Sequence, residues 1–191
     1  MPDGDILIHA GDITNHGSIR ALANFNAWLG ELPHKHKLVI AGNHDFCFKN
    51  NRTAAEKTLS NAIYLQDAGF NLNNVQFWGS PWTPEFSNWA FMANEDQLQH
   101  TWQKIPDDTN VLITHGPPSK MMSFVERDGG VDAGSWSLHQ RILELKLLRV
   151  HVFGHIHEGY GSKGVGDLTF INASSCDEHY RLVNPPIVMD L

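Results

Sequence analysis

Seven residues of this chain have the types and spacing for metal-assisted phosphate chemistry: Asp12, Asn43, His44, Asp45, His115, His155 and His157. They fall in four short pieces, Gly11-Asp12, Gly42-Asn43-His44-Asp45, Thr114-His115-Gly116-Pro117 and Gly154-His155-Ile156-His157. Carboxylate, carboxamide oxygen and imidazole suit divalent ions of the Mn, Fe or Zn class, and the set Asp12, Asn43, His115, His155, His157 contains no thiolate, which disfavours a closed structural zinc site. Asp12 can bridge two ions. If the segment holding His155 and His157 stays extended, both side chains share a face and can address two ions about 3.5–4 Å apart. One His-x-His is weak evidence by itself; the four pieces in this order carry the weight. His44 leaves the chain in a different direction from Asn43, so it can face the leaving group of an ester while Asp45 holds its tautomer and keeps it protonated. The plainer alternative for Asp45 is a cap at a helix or turn start.

Each piece follows an apolar run that reads as a buried strand: Ile6-Leu7-Ile8, Leu38-Val39-Ile40, Val111-Leu112-Ile113 and Val150-His151-Val152-Phe153. A strand that stops on a ligand projects it from a stiff support. Between these strands, Ser18 can cap a helix to about Leu29, with Ile19, Leu22, Phe25 and Leu29 as its apolar stripe. Thr53 can cap a helix through Ala62, and further helices are expected over Glu95 to Lys104 and Ser137 to Leu147. Short strands are expected near Ile63 to Gln66 and Val75 to Gly79, with turns at Asp67-Ala68-Gly69 and Asn71 to Asn74, so antiparallel pairing is expected there. Later strands are expected at Leu168 to Asn172 and Ile187 to Leu191. Met121 to Ser135 reads as irregular, glycine-rich near Gly129-Gly130. The alternation gives an α/β fold with mixed sheets.

With 191 residues, 41% hydrophobic and 18% charged, the chain is expected to form one domain over 1–191 with a substantial core. The net charge of −7 excludes a general nucleic-acid surface, which needs clustered Lys and Arg. It does not exclude a small phosphate ester, because bound ions supply local positive charge. Histidine is abundant, 12 against 14 Lys plus Arg. Surface placement is expected for His34, His36, His100 and His139, and a buried structural role for His9. The two cysteines, Cys47 and Cys176, have no metal or redox spacing, which fits a reducing cytoplasmic setting. No signal peptide or membrane-length apolar run is read, and nothing in the sequence specifies an oligomer. Trp82 and Phe91 read as core residues, His16 as a surface loop residue, and Trp89 or Trp136 as a candidate stacking platform for a base.

The pieces above, together with Leu7-Ile8-His9-Ala10-Gly11-Asp12, Gly79-Ser80-Pro81-Trp82, Gly154-His155-Ile156-His157-Glu158-Gly159-Tyr160-Gly161 and Val183-Asn184-Pro185-Pro186-Ile187-Val188, resemble the calcineurin-like metallophosphoesterase superfamily over nearly the whole chain. The resemblance is closest to its metallophosphoesterase-domain-containing, fetal-brain-239-like branch. It implies a two-sheet sandwich flanked by helices and a binuclear centre hydrolysing phosphomonoesters or phosphodiesters. By the same resemblance Asp12 bridges the ions, Asn43, His115 and His155 hold the second, His157 holds the first, and His44 assists the leaving group.

One departure qualifies this. The family pattern opens with a strand ending in Asp-x-His, and none precedes Gly11-Asp12 here. The expectation is therefore an N-terminally truncated domain lacking the first strand, with four ligands for one ion and only Asp12 and His157 for the other. Two functions are in view. One is a metal-dependent phosphodiesterase, with manganese as a fitting ion and metal-activated water as nucleophile, acting on cyclic nucleotides or similar small phosphodiesters. The other is a weak or inactive single-ion nucleotide-binding protein.

Overall fold

The computed structural model describes residues 1–126 and 130–191. Two sheets face each other. In the smaller, β1 (Ile6–Ala10), β2 (His36–Ile40) and β3 (Ile63–Tyr64) lie parallel in that order. The larger sheet draws on β4 (Ala68–Leu72), β5 (Val75–Ser80), β8 (Val111–Thr114), β11 (Val150–Phe153), β12 (Gly161–Val165) and β13 (Leu168–Asn172), in the order β12-β13-β11-β8-β5-β4. Its middle pairs are parallel, and the two edge strands β12 and β4 run antiparallel to their neighbours. The small pairs β6 (Thr83–Pro84) with β7 (Met92–Ala93), and β9 (Phe124–Val125) with β10 (Val131–Asp132), trim the loops.

Strand alternation sorts the core into layers, because successive side chains point to opposite faces. Leu38, Ile40, Phe77, Val111, Ile113, Val150, Val152 and Ile171 meet between the sheets. On the outside of the small sheet, Val39 and Ala41 pack against α1 (Ile19–Glu31), α2 (Phe46–Asn50) and α3 (Arg52–Thr58) through Leu22, Leu29, Phe48 and Ala55. On the outside of the large sheet, Leu112, Phe153 and Phe170 pack against α4 (Glu95–Trp102) and α5 (Trp136–Glu144) through Leu98, Trp102, Leu138 and Ile142. The result is the helix-flanked two-sheet sandwich expected from the sequence. Strands covered on both faces must be apolar throughout, which is why they read as unbroken hydrophobic runs.

Caps fix the helix starts. The Ser18 hydroxyl accepts from Ala21 N, and Asn94 with Gln97 forms a reciprocal capping box at α4. Four expectations are corrected. The helix assigned to Thr53 through Ala62 starts at Arg52, where the Asn51 side chain accepts from Ala54 N, and ends at Thr58. The turns expected at Asp67-Ala68-Gly69 and Asn71 to Asn74 give way in part to strand β4, which pairs antiparallel with β5; the turn itself is the left-handed pair Asn73-Asn74 (φ 51 and 66), suited to a tight hairpin. Ile187 to Leu191 forms no strand: it is an extended tail whose Ile187 packs onto the inter-sheet core. His34 is not a surface residue but 5% exposed. Of the Gly129-Gly130 pair, Gly129 lies outside the described residues.

Candidate metal centre

The parallel pairings put the carboxyl ends of β1, β2, β8 and β11 at one end of the sandwich, where open α/β sheets bind ligands. Asp12 follows β1, Asn43 to Asp45 follow β2, His115 follows β8, and His155 and His157 follow β11. The turns are tight. Gly11 has φ +98, and a Cβ there would lie 2.6 Å from His115 Nδ1. A Cβ on Gly42 would meet the Asp12 carboxylate and, at 2.6 Å, His115 Cε1. Glycine at 11 and 42 is thus what lets the two sheets approach each other at the site. Asp12 (φ 57) and His155 (φ 68) are themselves left-handed.

The oxygen and nitrogen atoms of Asp12, His115 and His155 that could hold an ion lie within 4.8 Å of one another. His115 Nε2 stands 2.8 Å from Asn43 Oδ1 and 3.3 Å from Asp12 Oδ2. Its Nδ1 is 2.9 Å from the Ala10 carbonyl oxygen. Both ring nitrogens therefore face oxygen acceptors. Burial alone would lower the His115 pKa, but the Asp12 charge and hydrogen bond override it and raise it. Burial would likewise raise Asp12; the His115 charge and hydrogen bond, with the His44 N–H, hold it well below the usual carboxylate range. The space between His115 Nε2 and the oxygens of Asn43 and Asp12 is one that a divalent cation could take. The donor set fits such an ion: carboxylate, amide oxygen and two imidazoles. His155 is pushed down to about 3 by burial and then by the His115 charge, so its ring is neutral and one ring nitrogen keeps a free lone pair.

Backbone carbonyls orient the imidazoles. Nδ1 of His115 meets Ala10 O, Nδ1 of His44 meets Asn15 O at 2.8 Å, and Nδ1 of His157 meets Asp177 O at 2.8 Å. In each case an N–H donated from Nδ1 presents Nε2 outward, the arrangement that orients metal-binding and proton-donating histidines. No sequence signal marks these three carbonyls, because any residue type supplies one.

The role expected of Asp45 is corrected. Its carboxylate is 0% exposed and accepts from Ile13 N (3.0 Å), Thr14 N (2.8 Å), Thr14 Oγ1 (2.9 Å) and Gly42 N (2.8 Å). These bonds tie the loop carrying Asp12 to the loop carrying Asn43, and it is the Asn15 carbonyl that contacts the His44 ring. Burial and the Asp12 charge push Asp45 up to about 6 against hydrogen bonds that favour its ionised form. The extended course expected for Gly154 to His157 is also absent: His155 is left-handed and His157 opens a short 3-10 turn, His157–Gly159. His157 lies outside the 4.8 Å group.

Aromatic side chains rest on the site. Trp89 lies 4.3 Å from the His44 ring and stacks on His16 at 5.8 Å; Phe86 lies 5.6 Å from the His155 ring. Ala90 N donates to Asn43 O, which fixes the Trp89 loop to the ligand loop. Trp136, the other candidate platform, begins α5 and is 49% exposed. Deeper in, Thr114 Oγ1 donates to Gly116 O, so the His151 Nε2–H donates to Thr114. This braces the turn after His115. His151 is pushed down to about 3 by burial, and its Nδ1 has no partner. A cavity of about 410 Å³ lies at the opposite ends of the same strands, lined by Val75, Val111, Arg149 and Val150, and contains none of the site residues.

The family model for calcineurin-like phosphoesterases matches residues 1–159, which include all seven residues above. The chain belongs to the calcineurin-like phosphoesterase family. Among its relatives, metallophosphoesterase domain-containing protein 1 of Homo sapiens and of Mus musculus are each 40% identical over 215 aligned positions, covering 100% of this chain and 66% of theirs. A UPF0046 protein of Caenorhabditis elegans is 37% identical, over 98% of this chain and 68% of its own. The chain thus spans about two thirds of the length of these curated relatives. Two solved structures share the fold. One matches at TM-score 0.70 and 19% identity, covering 89% of this chain and 79% of the other. The second, a putative 5'-nucleotidase from Staphylococcus aureus, matches at TM-score 0.53 and 14% identity, covering 97% and 45%. No helix among the described residues is long and apolar enough to cross a membrane.

Proposed function

We propose that this calcineurin-like phosphoesterase chain hydrolyses small phosphate esters with a divalent ion held by Asp12, Asn43, His115 and His155. The observation that carries the reading is the convergence of Asp12, His115 and His155 within 4.8 Å, with Asn43 Oδ1 2.8 Å from His115 Nε2. A bound ion of the manganese, iron or zinc class would polarise the phosphoryl oxygens and supply a nucleophilic hydroxide at neutral pH. Asp12 and Asn43 provide oxygen on one side, and the two imidazoles provide nitrogen. His44 donates its Nδ1–H to the Asn15 carbonyl, so it is the imidazolium form that carries a second proton on Nε2, gives it to the departing ester oxygen and is left neutral. Trp89 and Phe86 offer flat apolar surface for the organic part of the ester, which favours phosphodiesters such as cyclic nucleotides.

A second reading, a single-ion nucleotide-binding protein with little turnover, draws support from one observation: His157 stands outside the group of potential ligands. Two variants separate these readings. Asp12→Asn should weaken ion binding itself, while His44→Ala should leave ion binding intact and lower turnover of bis-(p-nitrophenyl) phosphate by about 10²–10⁴-fold. Unchanged metal-dependent hydrolysis in both variants would refute the enzymatic reading. Nucleotide binding without turnover in the parent chain would establish the second.

A further inference from the structure

The segment after β13 lies beyond the region matched by the family model, yet it touches the site. Residues Asp177 to Arg181 form a closed turn: Asp177 N donates to Arg181 O, and Tyr180 N donates to Asp177 O. The Asp177 carboxylate accepts from His179 N, Arg181 N and the Arg181 guanidinium, the last at 2.6 and 2.7 Å. Those Arg181 hydrogen bonds hold the Asp177 carboxyl down at about 2, so it is ionised whenever the protein is folded at ordinary pH. The turn is fastened to the body by Asn184 Nδ2, which donates to Ser174 O and Cys176 O, and by Val183 N and Asn184 N, which donate to Ser175 O. Tyr160 Oη donates to Pro185 O from the other side.

This turn offers His157 two contacts. The Asp177 carbonyl oxygen lies 2.8 Å from His157 Nδ1, and the Tyr180 ring meets the His157 ring edge-on with centroids 5.0 Å apart. Tyr180 gains little from burial, being 68% exposed, and it holds a left-handed backbone (φ 59) that a tyrosine adopts at a cost. A core-packing role accounts for neither property. Both follow if the turn exists to present its carbonyl and ring to His157.

We propose that the Asp177–Arg181 turn is a positioning element of the metal centre, in which the Asp177 carbonyl fixes the tautomer of His157 and Tyr180 blocks the ring from swinging away, so that Nε2 is held ready for an ion. The inference rests on the phosphoesterase reading only for what His157 binds, since the hydrogen bond and the ring contact stand without it. It turns His157, left outside the compact group of ligands, into a pre-oriented donor. Partners of this kind, one step behind a metal-binding histidine, commonly change ion affinity or activity by about 10–100-fold when removed.

The experiment uses the full chain and three variants: Asp177→Ala, Asp177→Asn and Tyr180→Ala. The Asn variant keeps an oxygen that can accept from His179 N and Arg181 N. In metal-free, ¹⁵N-labelled protein, long-range imidazole correlation spectra should show His157 as a single Nδ1–H tautomer in the parent and in Asp177→Asn. In Asp177→Ala and Tyr180→Ala the ring signal should average between tautomers. Calorimetric titration with Mn²⁺ should show the ion served by His157, distinct from the one held by Asp12, Asn43, His115 and His155, bound about 10–100-fold more weakly in Asp177→Ala and near the parent in Asp177→Asn. Parent-like tautomer and parent-like affinity in both alanine variants would overturn the proposal. If the parent itself takes up no Mn²⁺, the metal reading of the site fails, and the tautomer spectra still decide whether the turn positions His157. If Asp177→Ala does not fold, Tyr180→Ala decides alone, since so exposed a ring is not needed for folding.

Discussion

Replacing Asp45 tests whether it serves as scaffold or as part of the proton-transfer apparatus. Its two oxygens accept three backbone N–H groups and one hydroxyl in a fully buried spot. In Asp45→Ala the Thr14 hydroxyl can turn to the His44 carbonyl, 3.3 Å away, but the N–H groups of Ile13, Thr14 and Gly42 lose their acceptor. Each buried donor left unpaired costs about 1–3 kcal/mol, less whatever water recovers by entering the space. The expected loss is about 3–5 kcal/mol, a large part of the roughly 5–15 kcal/mol that holds a domain together. Asp45→Asn keeps one acceptor oxygen and removes a charge that burial and Asp12 make costly, so about 1–2 kcal/mol is expected for it. Urea denaturation of metal-free protein, followed by circular dichroism, gives these values without any contribution from an ion. A loss below about 1 kcal/mol in Asp45→Ala, together with abolished turnover, would refute the scaffold argument and return Asp45 to the His44 tautomer role.

Three further outcomes follow from the same geometry. Gly42→Ala places a methyl group against the Asp12 carboxylate and His115, so stability should fall by about 1–3 kcal/mol and Mn²⁺ affinity should fall with it; thermal unfolding with and without Mn²⁺ checks both. His151 is neutral in the fold, its pKa lowered to about 3 from an ordinary 6.5, so the unfolded chain binds the extra proton first. Its contribution is complete above pH 6.5 and is lost as pH falls from 6.5 toward 3, with a slope of about 1.4 kcal/mol per pH unit; His151→Gln should remove that slope from the pH dependence of urea unfolding. Trp89→Ala should raise KM for a nucleotide diester by loss of the stacking surface; an unchanged KM would remove Trp89 from substrate binding.

Much of the architecture was legible because strands covered on both faces, β8 and β11 above all, are almost wholly apolar, and such runs stand out beside the turn residues that end them. Val111-Leu112-Ile113 before His115 is the clearest case. The tail failed the same test: Ile187 to Leu191 looks apolar enough for a strand, but Ile187 packs onto the inter-sheet core and no strand among the described residues pairs with the tail. Strand β4 was hidden because its sequence, Ala-Gly-Phe-Asn-Leu, has two residues poor in strand propensity, and pairing with β5 outweighs them. At the site, residue types named the side chains that converge, Asp12, Asn43, His115 and His155, because ligand chemistry is a property of side chains. The anchors behind the rings were invisible, since Ala10, Asn15 and Asp177 contribute backbone oxygens that every residue carries. Asp45 misled for a related reason: adjacency to His44 in the chain suggests contact, whereas its oxygens turn the other way, toward Thr14 and Gly42.

Asp12 and His155 share a feature with a cost of its own. Both carry a Cβ yet sit in the left-handed region that glycine enters most easily, at a cost of up to about 1–2 kcal/mol each. Glycine at either position would relieve that strain and delete a carboxylate or an imidazole in the process. At Asp12 it would also orphan the His44 N–H and take the carboxylate away from the His115 ring, so the turn sets backbone strain against the contacts its side chain makes.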